Sequence, residues 1–108
     1  MTGDLFRTMA LEFAGAETVR HFERLGFKVA KKRMFATYLE SDNTANIFLT
    51  PEEQRTFCGI DTKTIYPVPN KWGEKGATTF VLDAVEPSLV REALESAYLE
   101  IVNKPTRK

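Results

Sequence analysis

The sequence predicts an α+β domain built on an antiparallel sheet. Three observations carry this. Segments with a helical apolar stripe stand near both ends, Asp4 to Phe13 and Pro87 to Asn103. Between them, short β-rich runs follow one another across tight turns from Val19 to Leu49. A helix-start signal, Thr50-Pro51-Glu52-Glu53, then interrupts the strands before a last strand-like run, Thr78 to Leu82. The order is α-β-β-β(-β)-α-β-α, with strands grouped rather than strictly alternating with helices, as α+β domains require.

In the first helix, Leu5, Phe6, Met9, Ala10 and Phe13 form one stripe. Thr2 or Asp4 can serve its N-terminal amides, and Gly15 supplies the stop. Val19 to Phe22 alternates as an edge strand. Gly26 punctuates, and Phe27 to Ala30 continues the alternation. Lys31-Lys32 falls where a hairpin turn is needed, and Arg33 to Leu39 is the next strand. On it Met34, Ala36 and Tyr38 are expected on one face, with Phe35, Thr37 and Leu39 on the other. Ser41-Asp42-Asn43 is a turn cluster, and Ala45 to Leu49 the following strand. These runs imply an antiparallel meander.

Thr50 fits an N-cap, Pro51 the first helical position, and Glu53 the position that reaches back to the cap amide. That helix runs to Cys58 and stops at Gly59, and Asp61 to Tyr66 connects onward. The longest helix opens at Pro87. Leu89, Val90, Ala93, Leu94, Ala97, Tyr98, Ile101 and Val102 give it a broad face that has to be buried. The tail from Lys104 to Lys108 is expected to fray.

A chain of 108 residues is expected to form one domain over residues 1–108. A single cysteine, Cys58, cannot form an internal bridge and fits a reducing compartment. Without a signal peptide or an 18-residue apolar run, the cytoplasm is the expected location, with no membrane partner. Fifteen basic and fifteen acidic residues cancel, which counts against a dedicated nucleic-acid binder. The distribution is uneven, however. Residues 1–39 carry seven basic and four acidic side chains, and residues 63–82 carry three and one. Residues 40–62 carry one and five.

The segment from Tyr66 to Gly76 (YPVPNKWGEKG) stands out. Pro67 and Pro69 stiffen the approach to Trp72, which Lys71 and Lys75 flank. Gly73 and Gly76 allow a tight turn or a close backbone approach. Such a loop either plugs an open edge of the core with its Trp, the commoner fate of that residue, or presents a binding surface.

The catalytic inventory is thin. His21 is the only His, and it reads as a half-exposed strand residue; Cys58 reads as a buried, inert thiol. No metal-ligand spacing and no phosphate-cradling glycine loop occurs, so no cofactor and no catalytic residue is expected. What remains is a basic turn, Lys31-Lys32-Arg33, and the basic-aromatic group Lys71, Trp72 and Lys75. Hairpin tips of this kind touch phosphates, and they also keep sheet edges soluble.

Several stretches together resemble the MmcQ/YjbR-like family. They are Ala14-Gly15-Ala16-Glu17, Phe27-Lys28-Val29, Lys32-Arg33-Met34-Phe35-Ala36, Leu49-Thr50-Pro51-Glu52-Glu53, Trp72-Gly73-Glu74-Lys75-Gly76 and Ser96-Ala97-Tyr98. Their order and spacing carry the resemblance over almost the whole chain. One departure is Ala77, where the family pattern often has a Trp, so no stacking role carries over to it. The resemblance implies a two-layer fold, a curved antiparallel sheet covered by helices. It is similar to secretion-chaperone-like domains and to the double-wing DNA-binding domain of a phage transcription factor. It places no catalytic residue or cofactor on this chain.

Three functions follow as expectations. The first is a monomeric, non-enzymatic binding domain that engages double-stranded DNA through Lys31, Lys32, Arg33, Lys71, Trp72 and Lys75. The second is a protein-interaction module, which calls for a contiguous exposed apolar patch. The third is small-ligand binding in a cleft beside the Trp loop, around His21, Tyr38 and Tyr66.

Overall fold

The computed structural model describes residues 1–103; the C-terminal tail read from the sequence lies outside them. The elements are α1 (Gly3–Leu11), β1 (Ala16–His21), β2 (Arg24–Val29), β3 (Met34–Leu39), β4 (Thr44–Phe48), α2 (Pro51–Cys58), β5 (Ile65–Pro67), α3 (Lys71–Glu74), β6 (Ala77–Val81) and α4 (Pro87–Asn103). The strands form one antiparallel sheet in the order β1-β2-β3-β4-β6-β5. The first four are a meander. The last strand inserts between β4 and β5, so the chain leaves the sheet after β4 and returns to pair with it.

Register decides the two faces, since side chains alternate along a strand. Leu25, Tyr38, Ala45, Phe80 and Ile65 form one row across five strands, with Phe27, Ala36 and Ile47 beside it. The helices cover this face. Phe6 of α1 meets the rings of Phe27 and Tyr38, and Phe57 of α2 meets Phe80. The long helix α4 lies across β2, β3 and β4 and buries Val90, Ala93, Leu94, Ala97 and Ile101. The opposite row, Val19, Gly26, Thr37, Asn46, Thr79 and Tyr66, crosses all six strands on the face away from the helices.

Simple alternation misplaces part of β3. Phe35 and Ala36 are consecutive, yet both are fully buried. The cause is a bulge: Phe27 pairs with Ala36, but Lys28 pairs with Met34. One extra residue on β3 turns Phe35 toward the helices beside Ala36 and bends the sheet. Phe35 then packs edge-on against Phe13 and Tyr98. Met34 leaves the face expected for it and joins the open one.

Most boundaries follow local chemistry. Thr2 accepts from the Leu5 amide and caps α1, while Gly15, at φ +81°, turns the chain into β1 rather than ending the helix itself. The capping box at α2 is complete: Thr50 Oγ1 accepts from the Glu53 amide at 3.1 Å, and Glu53 accepts from the Thr50 amide at 3.0 Å. Two features escaped the sequence reading. Ile65–Pro67 is a short edge strand, with Pro67 where a missing amide costs least. Residues 71–74 coil into a short helix capped by Asn70, whose Oδ1 accepts from the Trp72 amide at 2.9 Å.

The non-glycine residues with positive φ fall in the hairpin turns: Phe22, Lys31 and Asn43. Asn tolerates that conformation, and a bulky aromatic does not. Phe22 also lies 83% exposed, with an edge-on contact to the His21 ring, so little packing offsets the strain. Phe22→Asn is expected to raise stability by about 1 kcal/mol, read as a higher urea midpoint at unchanged slope. Gly76→Ala is expected to lower it by about 3 kcal/mol or more. Gly76 sits at φ +118°, and a Cβ there would strike the Leu49 carbonyl oxygen.

Candidate functional site

The α3 segment is held by its own backbone and by one side chain. The Val68 amide donates to the Ala77 carbonyl, closing the loop at its base. Gly73 packs flat on the Val68 peptide, where any Cβ would clash. Gln54 of α2 is buried, and its Nε2 donates to the carbonyls of Gly73 at 2.9 Å and Ala77 at 3.0 Å. With Gly73 turned inward, the neighbouring Trp72 side chain is carried to the outside.

Trp72 is 65% exposed. The core-plug alternative is therefore overturned. The loop does seal a sheet corner, but it does so with Gly73 and the Gln54 amide rather than with the indole. Lys75 Nζ lies 5.5 Å from the centre of the Trp72 ring, over one face of it, a cation–π arrangement on a ring that is largely exposed.

Beside Trp72 runs a groove of about 460 Å³. Met34, Phe48 and Ala77 line it from the open face of the sheet, and Pro51 from the start of α2. Arg33, Trp72 and Lys75 line it too, and Glu100 of α4 is its one acid among the described residues. Ala77 matters by its size, because a large side chain there would take up groove space. Three of the six residues singled out in the sequence thus meet at one groove. Lys31 and Lys32 share the β2–β3 turn with Arg33, and Lys71 shares α3 with Trp72, but none of these three lines the groove.

The ion pairs among the described residues are Lys28–Glu17 and Arg91–Glu12. Lys31, Lys32, Arg33, Lys71 and Lys75 therefore have no acidic partner there. A second hollow, of about 450 Å³, lies at the other end of the strands. It is lined by Arg7, Arg20 and Arg24 and also by Asp4, Glu23 and Glu40, so its charges balance.

The cleft expected around His21, Tyr38 and Tyr66 does not form. His21 ends the edge strand β1 and Tyr66 lies on the opposite edge strand β5. Tyr38 is tied into the β3–β4 turn, its hydroxyl donating to Asn43 Oδ1 at 2.8 Å. Burial, helped by Glu40, Asp4, Asp83 and Asp42, pushes its phenol above the ordinary range. Cys58 is half-buried, and burial pushes its thiol up as well. Among the described residues no three His, Cys, Asp or Glu side chains cluster as a metal site, and no helix is long and apolar enough to cross a membrane.

Phe22 was missed by the sequence reading. Its one sequence signal is negative: the hairpin Arg20-His21-Phe22-Glu23-Arg24 has no Gly, Asn or Pro to make its turn. It stands at the opposite end of β2 from Arg33, away from the groove.

The YjbR family model matches residues 11–100. The chain belongs to the MmcQ/YjbR family. Among solved structures it is similar to the Deinococcus radiodurans protein DR2400, a DUF419 domain, at 27% identity and a TM-score of 0.82. The match covers 99% of this chain and 83% of that one. No curated protein matches. This YjbR chain therefore has the α+β fold read from its sequence, a curved antiparallel sheet with an N-terminal and a long C-terminal helix.

The raised Cys58 pKa has a direct consequence. A thiol held neutral reacts slowly, since the thiolate is the nucleophile. Iodoacetamide is expected to label Cys58 more slowly in the folded protein than in urea at pH 7. The folded rate should still be climbing at pH values where the urea sample has levelled off. Equal rates in both samples at pH 7 would show an accessible, unshifted thiol.

Proposed function

We propose that this YjbR chain is a binding domain for DNA, with Lys31, Lys32, Arg33, Lys71 and Lys75 meeting phosphates and Trp72 adding an aromatic surface. One observation carries the reading. Two short segments, residues 31–33 and 71–75, flank one groove and hold five cations with no acidic partner among the described residues, around an exposed Trp. Cations left unpaired on rigid turns are what a phosphate backbone meets.

The rival reading, a protein-interaction module, calls for a contiguous apolar patch. Apart from Trp72 at the groove, the exposed large apolar side chains are dispersed: Leu5 and Leu11 on α1, Val19 on β1, Phe22 in a turn, Ile60 after α2, Tyr66 on β5 and Leu99 on α4. Binding rather than catalysis also fits the site. The exposed indole and the cations beside it supply attraction, while Cys58, the one thiol, is held neutral away from the groove.

The test is a titration of a DNA duplex at several salt concentrations, followed by Trp72 fluorescence. If all five cations contact phosphate, the slope of log K against log salt is expected near about −4 to −5. The double variant Lys31→Gln, Lys32→Gln should flatten that slope by about 2. Binding that ignores salt, or a double variant with the parent slope, would sink the phosphate assignment.

A further inference from the structure

We infer that the groove beside Trp72 receives an unpaired nucleobase, so that the chain prefers single-stranded over double-stranded nucleic acid. This rests on the DNA-binding reading above and names what enters its groove. At about 460 Å³ the groove lies within the roughly 300–1,000 Å³ of small-molecule sites. Its walls are the indole of Trp72, the ring of Phe48 and the thioether of Met34, all of which pack well on a flat π-system. Lys75 already covers one face of the indole at 5.5 Å, and the ring is otherwise largely exposed to a stacking partner. Arg33 and Lys75 stand at the same groove, placed for the phosphates on either side of an inserted base.

A duplex suits these walls poorly. Its bases stay stacked on one another and offer only their edges, which are read by hydrogen-bonding groups. Here the Thr50 hydroxyl oxygen already accepts from the Glu53 amide, and the Gln54 Nε2 is committed to backbone carbonyls. The groove therefore holds mainly stacking surface and positive charge, with Arg33 and Glu100 as its charged groups able to touch a base edge. Such a site takes any base by its face, with weak sequence preference. An acidic peptide would match the charge but leave the aromatic surface unused.

Four probes of matched total charge separate the possibilities by their binding to the whole chain: a mixed-sequence single strand, a duplex of half that length, an abasic strand with the same phosphates, and polyglutamate. The single strand is expected to quench Trp72 and to bind about tenfold or more tighter than the abasic strand or the duplex. Trp72→Ala, followed by anisotropy of labelled strands, should erase that advantage, so that the single strand and the abasic strand bind the variant alike. Trp72→Phe should keep most of it. Because Trp72 is exposed, neither variant should disturb the fold, which circular dichroism checks. A duplex or an abasic strand that binds as tightly as the single strand overturns this inference and leaves the DNA-binding reading standing. Polyglutamate binding as tightly as the single strand overturns it in favour of an acidic protein partner. Binding to none of the four removes both readings.

Discussion

Much of this fold depends on one close approach, that of Gly76 to the backbone of Leu49 and Thr50. The chain leaves the sheet after β4, makes α2, β5 and α3, and must return alongside the strand it left. The return begins where the Leu49 amide donates to the Gly76 carbonyl at 3.2 Å. Only a residue without a Cβ fits there, because Gly76 lies against the Leu49 carbonyl and adopts a φ of +118°. From that point β6 pairs with β4 from Phe48–Ala77 through Thr44–Val81. Closing such a long excursion costs chain entropy, which the burial of Phe80 and Leu82 against the helices offsets.

The same constraint builds the site. If β6 must start against Leu49, the residues just before it are confined to the corner of the sheet. Asn70 starts a turn of helix there, Gly73 lies on the Val68 peptide, and Gln54 joins that turn to α2 through two carbonyls. A buried amide with both bonds made fixes position, and leaving its acceptors unsatisfied would cost about 1–3 kcal/mol. The exposed indole thus stands on a fixed support. The strand ends that meet at this corner supply Met34, Phe48 and Ala77 as the wall beside it.

The parts of the fold legible in the sequence are those fixed by local chemistry. The box at Thr50 to Glu53, Pro87 as the opening of α4 and the stripe of α1 each depend on neighbours within a turn or two. The parts that were not legible depend on distant partners. Ile65–Pro67 is too short to show a period and is a strand only because β6 lies beside it. The bulge that turns Phe35 inward shows only in the pairing of β2 with β3. The orientation of Trp72 was open for the same reason. Its exposure is decided by Gly73 on Val68 and by Gln54, which is nineteen residues from Gly73. That Arg33 and Lys75 reach one groove follows from the β4–β6 pairing, which no local pattern encodes.

A net charge of zero looks at first like an obstacle to binding a polyanion. The sheet resolves it by distance. The acidic stretch that begins at Glu40 and Asp42 occupies the β3–β4 turn, and Lys31, Lys32 and Arg33 occupy the β2–β3 turn at the other end of β3. Six strand residues separate the two ends, about 20 Å at 3.3 Å per residue. That is more than twice the screening length of about 8 Å at physiological salt. A phosphate at the groove therefore hardly feels Glu40 and Asp42; the acids near it are Glu100, which lines the groove, and Glu74 of α3. Around the groove, segments 31–33 and 71–75 hold five cations against Glu74 and the groove-lining Glu100, so the local surface is positive although the chain is neutral. Net charge speaks for solubility and for long-range encounter. What a groove attracts is decided by the turns that meet around it.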